Sequence, residues 1–359
     1  MALLTLHEYE TAARKRLPKP VWDFLSGGSG TESMLSAGRA ALDRIRLRPR
    51  CLVDVSDCDP GTSVLGANLA APLGIAPMAY HRLAHPEGEL ATARAAGEAG
   101  VVFTVSMFAS HTLEDIAAAA TGPLWLQLYW LKRRELLIDL VRRAEAAGYG
   151  ALVLTVDAPR VARRPRDLRN GFSVPEGVHA VNVDPSVMSA SHVGTPGQSA
   201  VARHSREQFD AAITWADLAW LRERTSLPLV LKGLLTGEDA ELALKHEVDG
   251  IIVSNHGGRQ LDFAQPAAEA LGEIAEVVSG RCPVILDGAI RHGADIAKAL
   301  CLGADSVSVG RPVLWGLAHS GSVGAAGVLR LLTEEFEEVM ALMGAPRVPL
   351  FGPAGITRK

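Results

Sequence analysis

The segment Ser254-Asn255-His256-Gly257-Gly258-Arg259-Gln260 sets a histidine and an arginine three residues apart across two glycines. Glycine accepts backbone conformations closed to other residues, so a chain leaving a strand here can turn sharply and aim both side chains at one small ligand. A guanidinium so placed clamps a carboxylate in bidentate fashion. The imidazole beside it takes a proton from the neighbouring carbon or hydroxyl. Asp157, at the end of an earlier apolar run, is placed to orient the imidazole and stabilise its cationic form. Taken alone, His256 would read as a satisfied core histidine; Gly-Gly-Arg beside it does not suit a packing position.

Two further groups bear on the same ligand site. Lys232 ends the apolar run 227–231, and a lysine carried into an apolar mouth needs a counter-charge or must lose its proton. A reduced flavin, anionic at N1, is a suitable partner: at about 4 Å and an effective dielectric near 20 the attraction is on the order of 4 kcal/mol before desolvation. A Schiff-base lysine and a structural ion pair are the competing readings. Asp287-Gly288-Ala289-Ile290-Arg291 and Gly310-Arg311-Pro312 bring two guanidiniums and glycine amides to the ends of two late apolar runs, where they can hold a phosphate. Surface ion pairs at Arg291 and Arg311 are the alternative.

The elements that must carry these residues alternate short β-branched runs with helical stretches rich in Ala, Leu and Glu. That alternation is the signature of a parallel sheet with crossover helices. Eight runs stand out, at 73–77, 101–106, 124–129, 151–157, 227–233, 250–254, 283–287 and 306–310. Most are almost wholly apolar, as strands buried on both faces must be, and eight closes a TIM (β/α)8 barrel. An open doubly wound sheet is the rival architecture. Polar residues gather at every run's end: Pro77-Met78-Ala79, Ser106, Gln127 with Tyr129, Thr155 with Asp157, Lys232, Ser254 with His256, Asp287 with Arg291, and Gly310-Arg311. One ring of side chains around one ligand explains this economically, because a barrel does its chemistry at the C-terminal ends of its strands.

The expected organisation is a single domain over 1–359. Residues 1–60 form an N-terminal helical cap, with helical patterns at 6–15 and 32–43, and 61–345 form the barrel. A long active-site loop at 171–205 follows strand four, and the tail beyond Ala345 is extended and peripheral. Ser26-Gly27-Gly28-Ser29-Gly30 has no strand before it and reads as a turn rather than a nucleotide loop. A net charge of −4 provides no field for nucleic acid or an anionic membrane, so Arg163-Arg164-Pro165-Arg166 is expected to serve a local anion instead. The four scattered cysteines lack metal or redox spacing, no metal is expected, and no apolar run of about 18 residues or signal peptide appears. The expected location is the cytoplasm.

These residues resemble a known family, the FMN-dependent α-hydroxy-acid oxidases and dehydrogenases. The resemblance runs over roughly 5–345, through Trp22-Asp23-Phe24, Ile75-Ala76-Pro77, Gln127-Leu128-Tyr129, Leu154-Thr155-Val156-Asp157, the Ser254 segment, Leu286-Asp287-Gly288 and Gly310-Arg311-Pro312. It implies FMN, with the backbone of Pro77, Met78 and Ala79 along the flavin, and Ser106, Gln127, Thr155, Lys232 and Ser254 on its ring or ribityl chain. Asp287, Gly288, Arg291, Gly310 and Arg311 would hold ribityl and phosphate. Tyr129, Arg164 and Arg259 would bind a 2-hydroxy acid, with His256 as base supported by Asp157. The C2 hydrogen then leaves as a hydride while His256 takes the hydroxyl proton, or His256 takes the C2 proton itself. The resemblance also implies a homo-oligomer, a tetramer or larger.

Two positions depart from the family pattern or choose within it. Phe24 stands where many members have a tyrosine that binds the substrate carboxylate, so a hydrogen bond worth about 0.5–3 kcal/mol is missing and small acids such as glycolate are disfavoured. Phe24, Tyr80, Phe108 and Trp130 are expected to frame an aryl side chain instead, a look similar to that of the mandelate and 4-hydroxymandelate oxidases. Ala79 is the residue that the family's oxidases commonly carry, where its membrane-bound mandelate dehydrogenases have glycine. Together with the lack of an apolar anchor in 171–205, it points to O2 as acceptor and H2O2 as product.

Overall fold

The computed structural model describes residues 3–183 and 207–358. Eight parallel strands close into a barrel: β1 (Leu73–Ile75), β2 (Val102–Ser106), β3 (Leu124–Leu128), β4 (Leu152–Thr155), β5 (Leu229–Leu234), β6 (Gly250–Ser254), β7 (Val284–Asp287) and β8 (Ser306–Val309). Each pairs in parallel with the next and β8 returns to β1, which excludes the open doubly wound sheet. β1 stops short of Pro77, which has no N–H to give a ladder.

Side chains two apart on a strand share a face. Outward-facing Val105, Leu126, Leu154, Leu231, Val253, Leu286 and Val307 join one large core beneath the helices. Inward-facing Val102, Trp125, Val153, Val230, Ile252 and Ile285 form a separate core inside the barrel. Val64 and Leu69, from the hairpin Thr62–Val64 and Ala67–Leu69, close that inner core from below. Further along the same inward rows the residues turn polar: Ser106, Gln127, Thr155, Lys232, Ser254, Asp287 and Ser308. Chemistry therefore sits one step above packing, on shared strands.

The N-terminal cap holds three helices: α1 (Leu6–Arg16), α2 (Lys19–Ser26) and α3 (Ser33–Asp43). α1 opens on a capping box between Thr5 and Glu8 and has Arg14, Lys15 and Arg16 in its last turn, where the helix dipole favours cations. α2 was not expected; Pro18 and Pro20 both fall at its entrance, where proline's fixed φ suits the first turn. The tail also departs from expectation. Its last strand, Ile356–Arg358, pairs antiparallel with Ile45–Leu47 and buries Ile356, so the chain's end fastens the cap rather than trailing over the surface.

Most of the expected loop at 171–205 lies outside the described residues. Its first part is pinned to the barrel: Asn182 accepts from Leu113 N at 3.0 Å and donates to His111 O at 2.8 Å. Among the described residues no helix is long and apolar enough to cross a membrane, and no group of His, Cys, Asp or Glu is arranged to hold a metal.

Candidate active site

One cavity of about 1270 Å³, mouth included, opens at the C-terminal ends of the strands. Phe24, Pro77, Met78, Ala79, Ser106, Gln127, Tyr129, Thr155, Arg164, Lys232, His256, Arg259, Asp287, Gly288, Arg291, Gly310 and Arg311 all line it. Asp157 and Ser254 stand one layer behind. Ser254 was expected on the flavin, but it is fully buried and its hydroxyl is spent on neighbours. It donates to Asp287 Oδ2 at 2.6 Å and accepts from Lys232 Nζ and His256 N, each at 3.0 Å.

The upper inward layer is a hydrogen-bonded belt. Ser106 Oγ donates to Gln127 Oε1 (3.1 Å) and Gln127 Nε2 donates to Thr155 Oγ1 (3.0 Å). Lys232 Nζ lies 3.1 Å from Asp287 Oδ2. Burial works against the lysine's charge, but Asp287 and Asp157 outweigh it and hold its pKa above the ordinary value. A fixed ammonium therefore faces the cavity floor, and the Schiff-base reading, which needs a neutral amine, loses ground.

His256 lines the cavity with a geometry suited to accepting a proton. Its φ of 58° lies in the left-handed region and is followed by Gly257 at 61° and Gly258 at 72°. For a non-glycine residue that conformation costs about 1–3 kcal/mol and persists only where surroundings enforce it. Here the bond from His256 N to Ser254 Oγ and that from Gly258 N to Asn255 O (3.1 Å) enforce it. The turn presents the ring so that Nδ1 lies 2.7 Å from Asp157 Oδ1. An ionised carboxylate only accepts, so Nδ1 carries the proton and Nε2 is left as the free base facing the cavity. Burial lowers the imidazole's pKa, and Lys232 and Arg164 add to this against the pull of Asp157, so the ring is neutral near pH 7. Burial raises the Asp157 pKa, but His256 and Lys232 overcome it and keep the carboxylate ionised. Tyr129 Oη lies 3.4 Å from Nε2, its pKa pushed up to about 12 by burial and by Asp157, so it stays a donor.

Sequence reasoning missed three supports. Gly233 bulges β5 at φ 116°; a Cβ there would lie 2.6 Å from that of Asp157, so only glycine lets the carboxylate reach His256. The N-terminal cap's backbone is the second. Arg259 donates to Phe24 O (2.8 Å) and Gly27 O (2.7 Å), and Arg311 to Gly257 O (2.9 Å) and Gly27 O (3.1 Å). The Gly27-Gly28 pair was the available signal: a Cβ on Gly28 would lie 2.8 Å from Gly258 O, so the cap turn packs backbone to backbone on the catalytic loop. Phe209 is the third. It lines the cavity 4.6 Å from the Tyr129 ring, where Trp130 had been expected. Trp130 instead packs edge-on against Trp220 and under Arg134, away from the cavity.

The residues fit a flavin mononucleotide. Arg291 and Arg311 are half-buried and line the cavity with no carboxylate within ion-pair distance among the described residues, which leaves room for a phosphate. Burial and mutual repulsion push Arg311 down to about 10, a strain that an anion between the two would relieve. Gly310 precedes the first of two helices that meet at a kink at Ser320-Gly321 within Arg311–Met343, so a helix N-terminus begins beside Arg311. A Cβ on Gly310 would lie 3.2 Å from Met78 Sδ, filling part of that cradle.

Comparison with known proteins agrees. A family model described as FMN-dependent dehydrogenase matches residues 13–358. The 4-hydroxymandelate oxidase of Amycolatopsis orientalis is 50% identical over 97% of this chain and 96% of its own, and the L-lactate oxidase of a Nostoc species 47% identical over 96% and 95%. A crystal structure of a mandelate oxidase with (S)-4-hydroxymandelic acid superposes with a TM-score of 0.96 over 99% of both chains, at 49% identity.

Proposed function

The chain belongs to the FMN-dependent dehydrogenase family, and from that premise we propose that it oxidises an aryl (S)-2-hydroxy acid, such as mandelate or 4-hydroxymandelate, to the 2-oxo acid. Bound FMN supplies the two-electron acceptor. Arg259 and Arg164 bind the substrate carboxylate, Tyr129 donates to its oxygen, and His256 Nε2 takes a proton while Asp157 holds the imidazolium that forms. Pro77 to Ala79, Ser106, Gln127, Thr155 and Lys232 flank the flavin's ring and ribityl chain, backed by Ser254. Asp287, Gly288, Arg291, Gly310 and Arg311 take ribityl and phosphate.

The observation that carries this reading is the pairing in one cavity of a neutral, carboxylate-oriented histidine with two arginines, Arg164 and Arg259, under aromatic walls. The relatives named 4-hydroxymandelate oxidase and mandelate oxidase support the aryl choice. Ala79 supports O2 as the final acceptor, giving H2O2. A homo-oligomer of four or more copies, working in the cytoplasm with 1–359 as one domain, completes the proposal.

The test is anaerobic bleaching of the flavin with a panel of 2-hydroxy acids, followed by mixing with O2. Equal or faster reduction by lactate or glycolate than by (S)-mandelate overturns the aryl reading. Negligible reoxidation makes the protein a dehydrogenase with another acceptor.

A further inference from the structure

Two separate aromatic stacks line the cavity. Phe24 lies face to face with Phe172, ring centres 4.3 Å apart and planes within 9°. Phe209 stacks on Tyr129 at 4.6 Å and on Phe108 at 6.1 Å, with interplanar angles of 21° and 13°. Phe24, Phe108 and Tyr129 come from the N-terminal cap or from strand ends. Phe209 comes from neither. Its segment is laid against the chain after β3 as an added antiparallel bridge: Lys132 N donates to Gln208 O and Asp210 N to Trp130 O, each at 2.9 Å, with Leu131 paired to Phe209. Arg134 clamps the same turn through Asp210 Oδ2 at 2.6 Å. The ring that results is 6% exposed.

We propose that Phe209 is the specificity-determining residue for the substrate's side chain, the wall that makes a flat aryl group fit better than an alkyl one. The proposal rests on the aryl reading above and names the residue responsible. Phe209 lines the cavity through its stack with Tyr129 and Phe108, which places it on the wall where a substrate side chain would lie. It is held from outside the barrel, so it can change without disturbing the strand ends. Its ring is parallel to that of Tyr129, whose hydroxyl faces His256, and a planar substituent on C2 can extend that stack in the offset geometry aromatic rings favour.

The experiment compares the wild-type holoenzyme with Phe209→Ala, Phe209→Leu and Phe209→Trp. For each it measures kcat/KM for (S)-mandelate and (S)-lactate, and the affinity for phenylacetate, which cannot react, from its perturbation of the flavin absorbance. FMN content and melting temperature establish that each variant is folded, and the leucine variant stands in should the alanine one not be. The mandelate-to-lactate ratio is expected to fall about tenfold or more in the alanine and leucine variants, chiefly through KM, with weakened phenylacetate binding and a ratio retained in the tryptophan variant. A ratio and phenylacetate affinity unchanged from wild type overturn the role of Phe209, whatever substrate the wild type prefers. A wild type that prefers lactate overturns the aryl reading, and Phe209 is then judged by the change between variant and wild type alone.

Discussion

Trp125 and Gln127 lie two residues apart on β3 and both point into the barrel, yet one packs and the other bonds. The lower layer, with Val102, Val153, Val230, Ile252 and Ile285 around Trp125, is apolar and closed by the hairpin below. The upper layer holds two hydrogen-bonded groups, one from Ser106 through Gln127 to Thr155 and one joining Lys232, Ser254 and Asp287. One strand thus supplies a core residue and a site residue at successive inward positions. Rigid packing directly under the belt holds its polar groups in place before any ligand arrives.

Variants can break that division or sharpen it. His256→Ala, at the rim of the upper layer, should slow flavin reduction about 10²–10⁴-fold in a stopped-flow measurement while FMN and the melting temperature are kept. Reduction at the wild-type rate would remove His256 from the chemistry. Trp125→Ala is the converse: a loss of about 3–5 kcal/mol in denaturant unfolding, with kcat of the folded fraction near wild type. Lys232→Met should blur the division, because it strands the Asp287 carboxylate; about 3–5 kcal/mol of stability should go along with FMN affinity, read by unfolding and flavin titration.

A pH profile gives a smaller effect. The base must be neutral to accept a proton, and burial holds the pKa of His256 below the ordinary histidine value of 6.5. The acid limb of kcat/KM should therefore fall below that value. Asp157→Asn removes the group that raises this pKa and should carry the limb lower still, with a reduced plateau. An acid limb above the ordinary value contradicts the assignment. Phe24→Tyr should have the smallest effect, a gain of about 0.5–1.5 kcal/mol in binding small acids, seen as a lower KM for glycolate.

Much of this site was legible before any coordinates. The eight apolar runs carried their polar residues at one end, and a parallel barrel has only one end where such residues can meet. The double glycine beside His256 announced a turn, though not that the histidine itself takes a left-handed conformation. Where reading along the chain failed, the cause was the direction in which a side chain leaves its strand. Trp130 follows Tyr129 directly and was expected in the wall, but successive residues leaving a strand point to opposite sides, so it packs outward on Trp220.

Periodicity, glycine placement and the chemistry of side chains at run ends are local properties, and they pointed to the barrel, a phosphate site and the histidine–arginine pair, while FMN came with the family resemblance. Contacts that join distant segments were decided only by tertiary structure. The cap's carbonyls at Phe24 and Gly27 hold Arg259 and Arg311 across more than two hundred residues. Gly233 makes room for Asp157, and Phe209 arrives on Tyr129 by a bridge outside the barrel. Carbonyl oxygens and missing Cβ atoms are alike in every sequence, so what they hold or admit appears only once the chain has folded around them.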